Sequence, residues 1–268
     1  MNCKSIILLI VVLLFWGNAE ARKKKGKKVE EVQTESAYRK FFKGKACETA
    51  KGMITLHKMD GRVYFEIPLA LMGREMLMGS TISEITNNGF GSVGEKPKGL
   101  LYISFVRCDS VISLKQLTAQ YDTNEENLKQ RIKESTIPAT IKNFKITTYN
   151  EDSTAVVIDM TDYLVSADEA IDPFSPWAPI LAGGERVMEK EFRRENSQVV
   201  SIKAFEDNVS VKSSLTYGLS LKNKVMYIFQ REPFTAVMTR SFILLPEHPM
   251  RPRLADPRIA IFSQGVSV

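Results

Sequence analysis

The chain has 268 residues, which is enough for one large β domain or two smaller ones. Hydrophobic residues make up 44% of it and charged residues 25%, an ordinary balance that excludes wholesale disorder. The net charge of +6 equals the charge of the six basic residues in RKKKGKK at positions 22–28, because Lys4 and Glu20 cancel. The basic balance therefore belongs to a short tail, and no nucleic-acid partner is indicated.

Positions 1–21 have the features of a secretory signal peptide. Lys4 gives a basic start, positions 6–16 form an unbroken apolar run, and Ala19-Glu20-Ala21 supplies a cleavage site of the A-x-A type. The run is too short to cross the roughly 30 Å of a bilayer's hydrocarbon core, so a stable transmembrane anchor is the less favoured alternative. The sequence predicts export to the periplasm or the extracellular space, followed by a basic leader over 22–35.

Cys47 and Cys108 remain once Cys3 has left with the signal peptide. An oxidising compartment permits a disulfide between them, but their positions in sequence do not decide whether they pair. They belong to no C-x-x-C or Cys/His metal motif.

A short N-terminal module is predicted over 36–86. It begins with a helix at 34–44, capped by Thr34 or Ser36 and stopped by Gly44. A β-hairpin follows, with strands at 53–57 and 62–67 joined through Asp60-Gly61, a pair that favours a tight primed turn. A helical turn at LALMG and a third strand at 75–85 complete the module.

A Gly/Asn/Lys-rich loop at 87–99 predicts a linker, and a β-rich second module is expected over 100–268. Its predicted elements are strands at 100–106 and 111–119, a helix at 123–135, strands at 140–149 and 154–160, a surface excursion at 166–186, and strands at 198–205, 209–217, 225–231 and 237–245. Short turns between strands require antiparallel pairing. The predicted fold class is mainly β (α+β), with antiparallel sheets of the meander or hairpin type and a few short helices.

Three patterns typical of ligand sites lack the context that such sites need. GFGSVG at 89–94 has the glycine spacing of a dinucleotide site, but a strand follows it where a helix is required. His57 and His248 belong to no H-E-x-x-H motif, which favours a packed or surface role for His57. The acidic cluster lacks the alternating spacing of a calcium loop; its members are Asp159, Asp162, Asp168, Glu169 and Asp172. We expect no catalytic residue, no cofactor and no metal ligand in this chain.

The run KGMITLHKMDGRVYFEIPLALMGREML at 51–77 resembles the opening signature of a bacterial family of exported zinc-dependent metalloproteases. It is similar to the family's short first module, the domain of unknown function numbered 5118, with His57, Glu66, Gly73 and Arg74 at signature positions. From about position 100 the chain resembles the second module, numbered 5117, through TAVVIDMTDYL, VVSIKAFEDNVSVKSSLTYG and SFILLPEHPMRPRLADPRIAIF. Since Gly73-Arg74 follows a turn next to Glu66, we expect Arg74 to pair with Glu66, an exposed arginine being the alternative.

In that family the two modules precede a catalytic region with the zinc site, and the present sequence ends where that region would begin. The resemblance implies zinc only in that region. It also implies a non-catalytic role for this chain, as a folding, docking or substrate-presenting platform for a catalytic metalloprotease domain in cis or in trans. A stand-alone envelope module that binds peptide or glycan is the alternative.

The proline-rich segment near the C-terminus is the predicted docking segment of such a platform. Its candidate contact residues are Arg251, Arg253, Asp256 and Arg258. Prolines fix an extended backbone in advance, which lowers the entropy lost on binding. A frayed tail is the alternative.

Overall fold

The structure, a computed structural model, describes residues 35–117, 125–174, 186–223 and 229–248. The helices in these ranges are α1 (Ala37–Phe42), α2 (Glu126–Ser135) and α3 (Thr161–Leu164). The strands are β1 (Glu48–Ala50), β2 (Thr55–Met59), β3 (Arg62–Pro68), β4 (Glu75–Ile85), β5 (Leu101–Cys108), β6 (Val111–Gln116), β7 (Ala139–Tyr149), β8 (Ala155–Asp159), β9 (Arg186–Phe192), β10 (Gln198–Ala204), β11 (Asn208–Asn223) and β12 (Phe229–Leu244). No helix within these ranges is long and apolar enough to span a membrane.

Within the described residues the strands form one 12-stranded sheet in the order β1-β2-β3-β8-β7-β6-β5-β4-β12-β11-β10, with β9 also paired to β11. Every strand pair is antiparallel. The predicted fold class, mainly β with antiparallel pairing and few short helices, is confirmed.

The sheet curls until its two ends meet at a seam between the segment before β2 and the end of β10. The Met53 amide donates a hydrogen bond of 2.7 Å to the carbonyl oxygen of Phe205. The Lys58 ammonium donates one of 2.6 Å to the carbonyl oxygen of Val200. The curled sheet encloses a large apolar core. In this core Phe242 of β12 packs against Phe65 of β3, with ring centroids 5.4 Å apart.

Strands from positions 36–86 and from beyond position 100 share this sheet. β3 pairs with β8, and β4 lies between β5 and β12. The loop at 87–99 folds back on β4, where the Gly94 amide donates to the carbonyl oxygen of Ile82. The hydrogen bonds between strands from the two parts therefore run through the middle of the sheet.

Two local predictions for the N-terminal part, the Ser36 cap of α1 and the tight turn at Asp60-Gly61, are confirmed. Ser36 caps α1, because its hydroxyl accepts a hydrogen bond from the Arg39 amide at 3.2 Å. The β2–β3 turn has Asp60 at φ 53° and Gly61 at φ 71°, the positive values that a primed turn needs.

The predictions near β9 to β12 need correction. β9 was not predicted and begins at position 186, where the expected surface excursion ends. The described part of the strand expected at 225–231 and the strand expected at 237–245 belong to one strand, β12. Pro233 stands inside β12, opposite Gly218. β4 pairs with β12 only from Ala236 onward, so Pro233 lies in the edge-like part of the strand, where a proline is tolerated.

Candidate functional site around His57

His57 lies in β2, directly opposite Thr49 of β1 on one side and Tyr64 of β3 on the other. Glu66 lies two residues beyond Tyr64, so its side chain is on the same face of β3. This face is the outer one, away from the main core. The strand register thus places a hydroxyl, an imidazole and a carboxylate in one row.

Helix α1 covers this row. Its aromatic side chains Tyr38, Phe41 and Phe42 pack on Tyr64 and Met59. The Phe42 ring lies 4.7 Å from the His57 ring, centroid to centroid. His57 is only 5% exposed as a result. The three aromatic residues of this short helix therefore form a small second core that covers the polar side chains of His57 and Glu66.

The His57 ring is held from both sides. Its Nε2 lies 2.9 Å from the Oε2 atom of Glu66, and Tyr38 donates to the same oxygen at 2.7 Å. Its Nδ1 lies 3.0 Å from the Thr49 hydroxyl and 3.8 Å from the Cys47 sulfur. An ionised carboxylate only accepts hydrogen bonds, so Glu66 favours the tautomer that carries its proton on Nε2 and leaves the Nδ1 lone pair facing Thr49 and Cys47.

The protonation states support this arrangement. The hydrogen bond from His57 lowers the pKa of Glu66; burial opposes this, and the Tyr38 hydroxyl and the charge of Lys51 assist it. Burial raises the pKa of the Tyr38 hydroxyl, and its bond to Glu66 adds to this. Glu66 is therefore an anion and Tyr38 a neutral donor near neutral pH.

Cys47 completes a thiol–imidazole–carboxylate order on the outer face. Cys47 and Cys108 are both free cysteines, so the disulfide that the sequence permitted between them is not formed. A nucleophile, a base and a group that orients the base are the parts that nucleophilic catalysis requires. One metal ion cannot take both Cys47 and Glu66 as ligands together with the ring between them, since they face opposite nitrogens of His57. Among the described residues no group of three or more His, Cys, Asp or Glu side chains is arranged to hold a metal.

The expected pair between Arg74 and Glu66 is wrong. Arg74 donates to the Glu247 carboxylate at 2.6 Å and to the carbonyl oxygen of Leu245 at 3.2 Å. Gly73 has φ +78°, and its amide donates to the carbonyl oxygen of Phe105 at 2.8 Å. Of the four signature residues, the structure brings His57 and Glu66 together and places Gly73 and Arg74 at the turn before β4.

The acidic cluster is divided among structural partners. Asp159 binds Arg62 at 2.6 Å, and Asp168 accepts from the Ala170 amide at 2.9 Å. The buried Asp172 carboxylate binds Lys98 at 3.1 Å and also Lys190. The predicted docking residues Arg251, Arg253, Asp256 and Arg258 lie outside the described residues.

Sequence reasoning identified His57 and Glu66 as signature residues but missed the other members of the site. Cys47 and Thr49 lie on β1, a three-residue strand too short for a recognisable alternation. Tyr38 was assigned to the helix, yet nothing local shows which strand the helix covers. Thr49 lies only eight residues before His57 in the sequence. A prediction of a third strand next to the hairpin would therefore have placed Thr49 beside His57.

The fold and site define a mainly β protein with a partly buried thiol–imidazole–carboxylate row on its outer face. The chain belongs to the family described as "Domain of unknown function (DUF5117)", whose family model matches residues 95–267. A second family model, "Domain of unknown function (DUF5118)", matches residues 35–85. No curated protein and no solved structure matches the chain. The resemblance to these two domains is confirmed, and the relation to metalloproteases stays a prediction.

Proposed function

We propose that this chain is the non-catalytic region of an exported zinc-dependent metalloprotease-like protein. In this role it is a folding, docking or substrate-presenting platform for a catalytic metalloprotease domain, in cis or in trans. The support is the residue resemblance described above together with one structural observation, the position of the Arg74 side chain.

Arg74 binds the stretch of chain that leads to the predicted docking segment. Its guanidinium contacts the carbonyl oxygen of Leu245 and the carboxylate of Glu247. The main chain beside it does the same, since the Leu245 amide donates to the carbonyl oxygen of Glu75 at 3.0 Å. The residues after β12 are therefore held against the turn that precedes β4.

This contact joins two parts of the chain that the resemblance marks independently. Arg74 belongs to the opening signature, and Glu247 belongs to SFILLPEHPMRPRLADPRIAIF, the closing segment. Because Arg74 holds residues in the closing segment, the chain beyond them starts from a fixed position on the surface of the protein. The proline-rich residues that follow are then suited to meet a catalytic domain at a constant place, with arginines that pair well with carboxylates.

The test is binding of a separately produced zinc-binding region, taken from a protein that carries both domains and an H-E-x-x-H motif. Calorimetric titration measures its affinity for the wild-type chain, for Arg74→Ala and for Arg62→Ala. Arg62 is the matched control, because it also makes a 2.6 Å contact with one carboxylate, that of Asp159, at another place. We expect binding by the wild type, weaker binding by Arg74→Ala and no change in Arg62→Ala.

Absence of binding by the wild-type chain contradicts the proposal and leaves the stand-alone module for peptide or glycan. Binding that Arg74→Ala and Arg62→Ala weaken equally contradicts the role given to the Arg74 contact. Circular dichroism of both variants checks that each is folded before titration.

A further inference from the structure

We propose that Cys47 is a nucleophilic thiol, activated by His57 and oriented by Glu66, that exchanges with small-molecule disulfides. This inference does not depend on the proposed function. It is carried by the placement of three reactive groups on adjacent strands and by the surroundings of the sulfur atom.

The three reactive groups follow one another in a fixed order. The Cys47 sulfur lies 3.8 Å from Nδ1 of His57, within the range of a weak sulfur hydrogen bond. On the other side of the ring, Nε2 donates to a carboxylate at 2.9 Å. The carboxylate therefore fixes the ring tautomer that leaves the Nδ1 lone pair directed toward the thiol side.

The base, His57, is held rigidly by its neighbours. The side chain of His57 is 7% exposed and that of Glu66 is 14% exposed. The Tyr38 hydroxyl fixes the Glu66 oxygen that holds the ring, and the Phe42 ring lies against the imidazole. A base held in this way needs little rearrangement to accept a proton.

The nucleophile, Cys47, is partly accessible. Cys47 is half-buried at the side of the small core under α1. Its sulfur lies 3.6 Å from the Thr49 hydroxyl and 3.8 Å from Nδ1 of His57. A partly exposed cysteine beside an imidazole can be reached by a reagent, whereas inert cysteines are fully buried among apolar groups.

The state of Cys47 and its surroundings favour a small disulfide as the substrate. Cys47 is a free cysteine, and so is Cys108, the other cysteine that the structure describes. A thiol in this state forms a mixed disulfide with an external sulfur compound. Helix α1 covers the surface beside Cys47, and the Cys47 residue is half-buried. A small disulfide therefore fits this site better than a folded protein chain does.

The exchange balances without a further reactant. As the Cys47 sulfur attacks one sulfur of the disulfide, its proton passes to Nδ1 of His57. The disulfide bond breaks, and its electron pair leaves on the second sulfur, which then takes the proton from His57. Cys47 ends as a mixed disulfide, and half of the reagent is released as a thiol.

Thr49 supplies an internal test of this geometry. Its hydroxyl lies 3.0 Å from Nδ1, closer than the thiol, and so competes for the lone pair that the mechanism uses. Removal of the hydroxyl in Thr49→Val frees the base. Activation of Cys47 by His57 predicts a faster reaction of Cys47 in this variant, whereas a purely structural role of the row predicts no gain.

The experiment measures the rate at which oxidised glutathione modifies each cysteine of the full chain, by peptide mass spectrometry. Cys108 is exposed and serves as the control thiol within the same molecule. His57→Gln keeps a side-chain N–H donor for Glu66 and removes the basic nitrogen that faces Cys47. We expect Cys47 to react faster than Cys108, and to slow roughly a hundredfold in His57→Gln, the lower end of what a positioned base contributes. The rate at Cys108 should not change.

Equal or slower reaction of Cys47 relative to Cys108 overturns the proposal, and so does an unchanged Cys47 rate in His57→Gln. If His57→Gln alters both cysteines because its fold is disturbed, Thr49→Val decides. A several-fold gain at Cys47 alone supports activation by His57, and an unchanged or lower rate there overturns it.

Discussion

The guanidinium of Arg240 donates a hydrogen bond of 2.8 Å to the main-chain carbonyl oxygen of Leu164. A second bond, of 2.9 Å, reaches the carbonyl oxygen of Ile171. Arg240 lies in β12 and is fully buried, so it ties the segment that follows β8 to the middle of the sheet. Burial lowers the pKa of Arg240 to about 10, which leaves the group charged near neutral pH. Two carbonyl dipoles take over part of the solvation that water would provide.

We expect Arg240→Lys to lower the free energy of unfolding by about 1.5–3 kcal/mol, the value of one hydrogen bond to a charged group. Lysine keeps the charge but lacks the planar fork that reaches both carbonyl oxygens. Urea unfolding measures the change. Arg62→Lys is the control, because Arg62 forms an exposed pair with Asp159 and should change stability by less than about 1 kcal/mol. Equal effects of the two substitutions would contradict the role of the fork.

Tyr217→Phe should stabilise the protein by about 1 kcal/mol, because a buried hydroxyl without a partner carries a desolvation cost. The Tyr217 hydroxyl has no hydrogen-bond partner among the described residues. Phenylalanine retains the ring contacts, of which the nearest is with Phe174 at 5.0 Å. Tyr38→Phe is the opposite case, since it removes the donor to Glu66 and should cost about 1 kcal/mol. Thermal unfolding of both variants decides, and a destabilised Tyr217→Phe would contradict the prediction.

Tyr217→Phe should also change how the stability of the protein depends on pH in the alkaline range. Burial raises the pKa of Tyr217 above its usual value near 10, and the charge of Asp172 raises it further. A raised pKa in the folded state contributes stability that is present below the unfolded pKa and is lost as pH rises above it. The advantage of Tyr217→Phe over the wild type should therefore grow between about pH 9 and pH 11. Urea titrations at both values test this, and an unchanged difference would argue against it.

Glu66→Gln should destabilise the protein near neutral pH by roughly 1–2 kcal/mol, through weaker hydrogen bonds from His57 and Tyr38. The pKa of Glu66 is lowered in the folded state, mainly by the His57 bond. Its contribution is therefore present above the unfolded pKa of about 4.3 and is lost as pH falls through the lower, folded value. The difference between wild type and variant should shrink toward about pH 3. A difference of constant size across this range would contradict the charge-based explanation.

Local chemistry made the turns and most strands predictable from sequence. Asp60-Gly61 forms a primed turn because of its own backbone preferences, and Ser36 caps α1 because of its own hydroxyl. The partner of Arg74 was not predictable in this way. Glu247 lies 173 residues further along the chain, and only the pairing of β12 with β4 brings the two together.

The extent of β11 shows the same limit. The strand was predicted to end at Tyr217, and the residue that follows is Gly218, a type that weakens a strand interior. The strand continues to Asn223 because β12 pairs with it on one side and β9 on the other. Bonding on both sides outweighs the weak propensity of a single glycine. The part of β11 after Tyr217 could not be predicted from its own residues, because it depends on pairing with β9 and β12.

Gly52→Ala should disrupt the seam where the two ends of the sheet meet. A Cβ atom at Gly52 would lie 2.4 Å from the carbonyl oxygen of Phe205 and 2.6 Å from its amide nitrogen. These are backbone atoms, which cannot move aside as a flexible side chain would. Relief of the overlap must separate the two segments and lengthen the 2.7 Å bond from the Met53 amide to Phe205.

We expect this substitution to cost about 1–3 kcal/mol, the usual range for an overpacked site. Gly99→Ala is the matched control, because a Cβ there meets nothing within 4 Å. The loss of backbone freedom in the unfolded chain should make the control neutral or slightly stabilising. Urea unfolding gives the free energies, and hydrogen exchange at the Met53 amide reports on the seam itself. Faster exchange at Met53 in Gly52→Ala but not in Gly99→Ala is the expected result. Equal stability and equal Met53 exchange in the two variants would mean that the sheet does not close at this point.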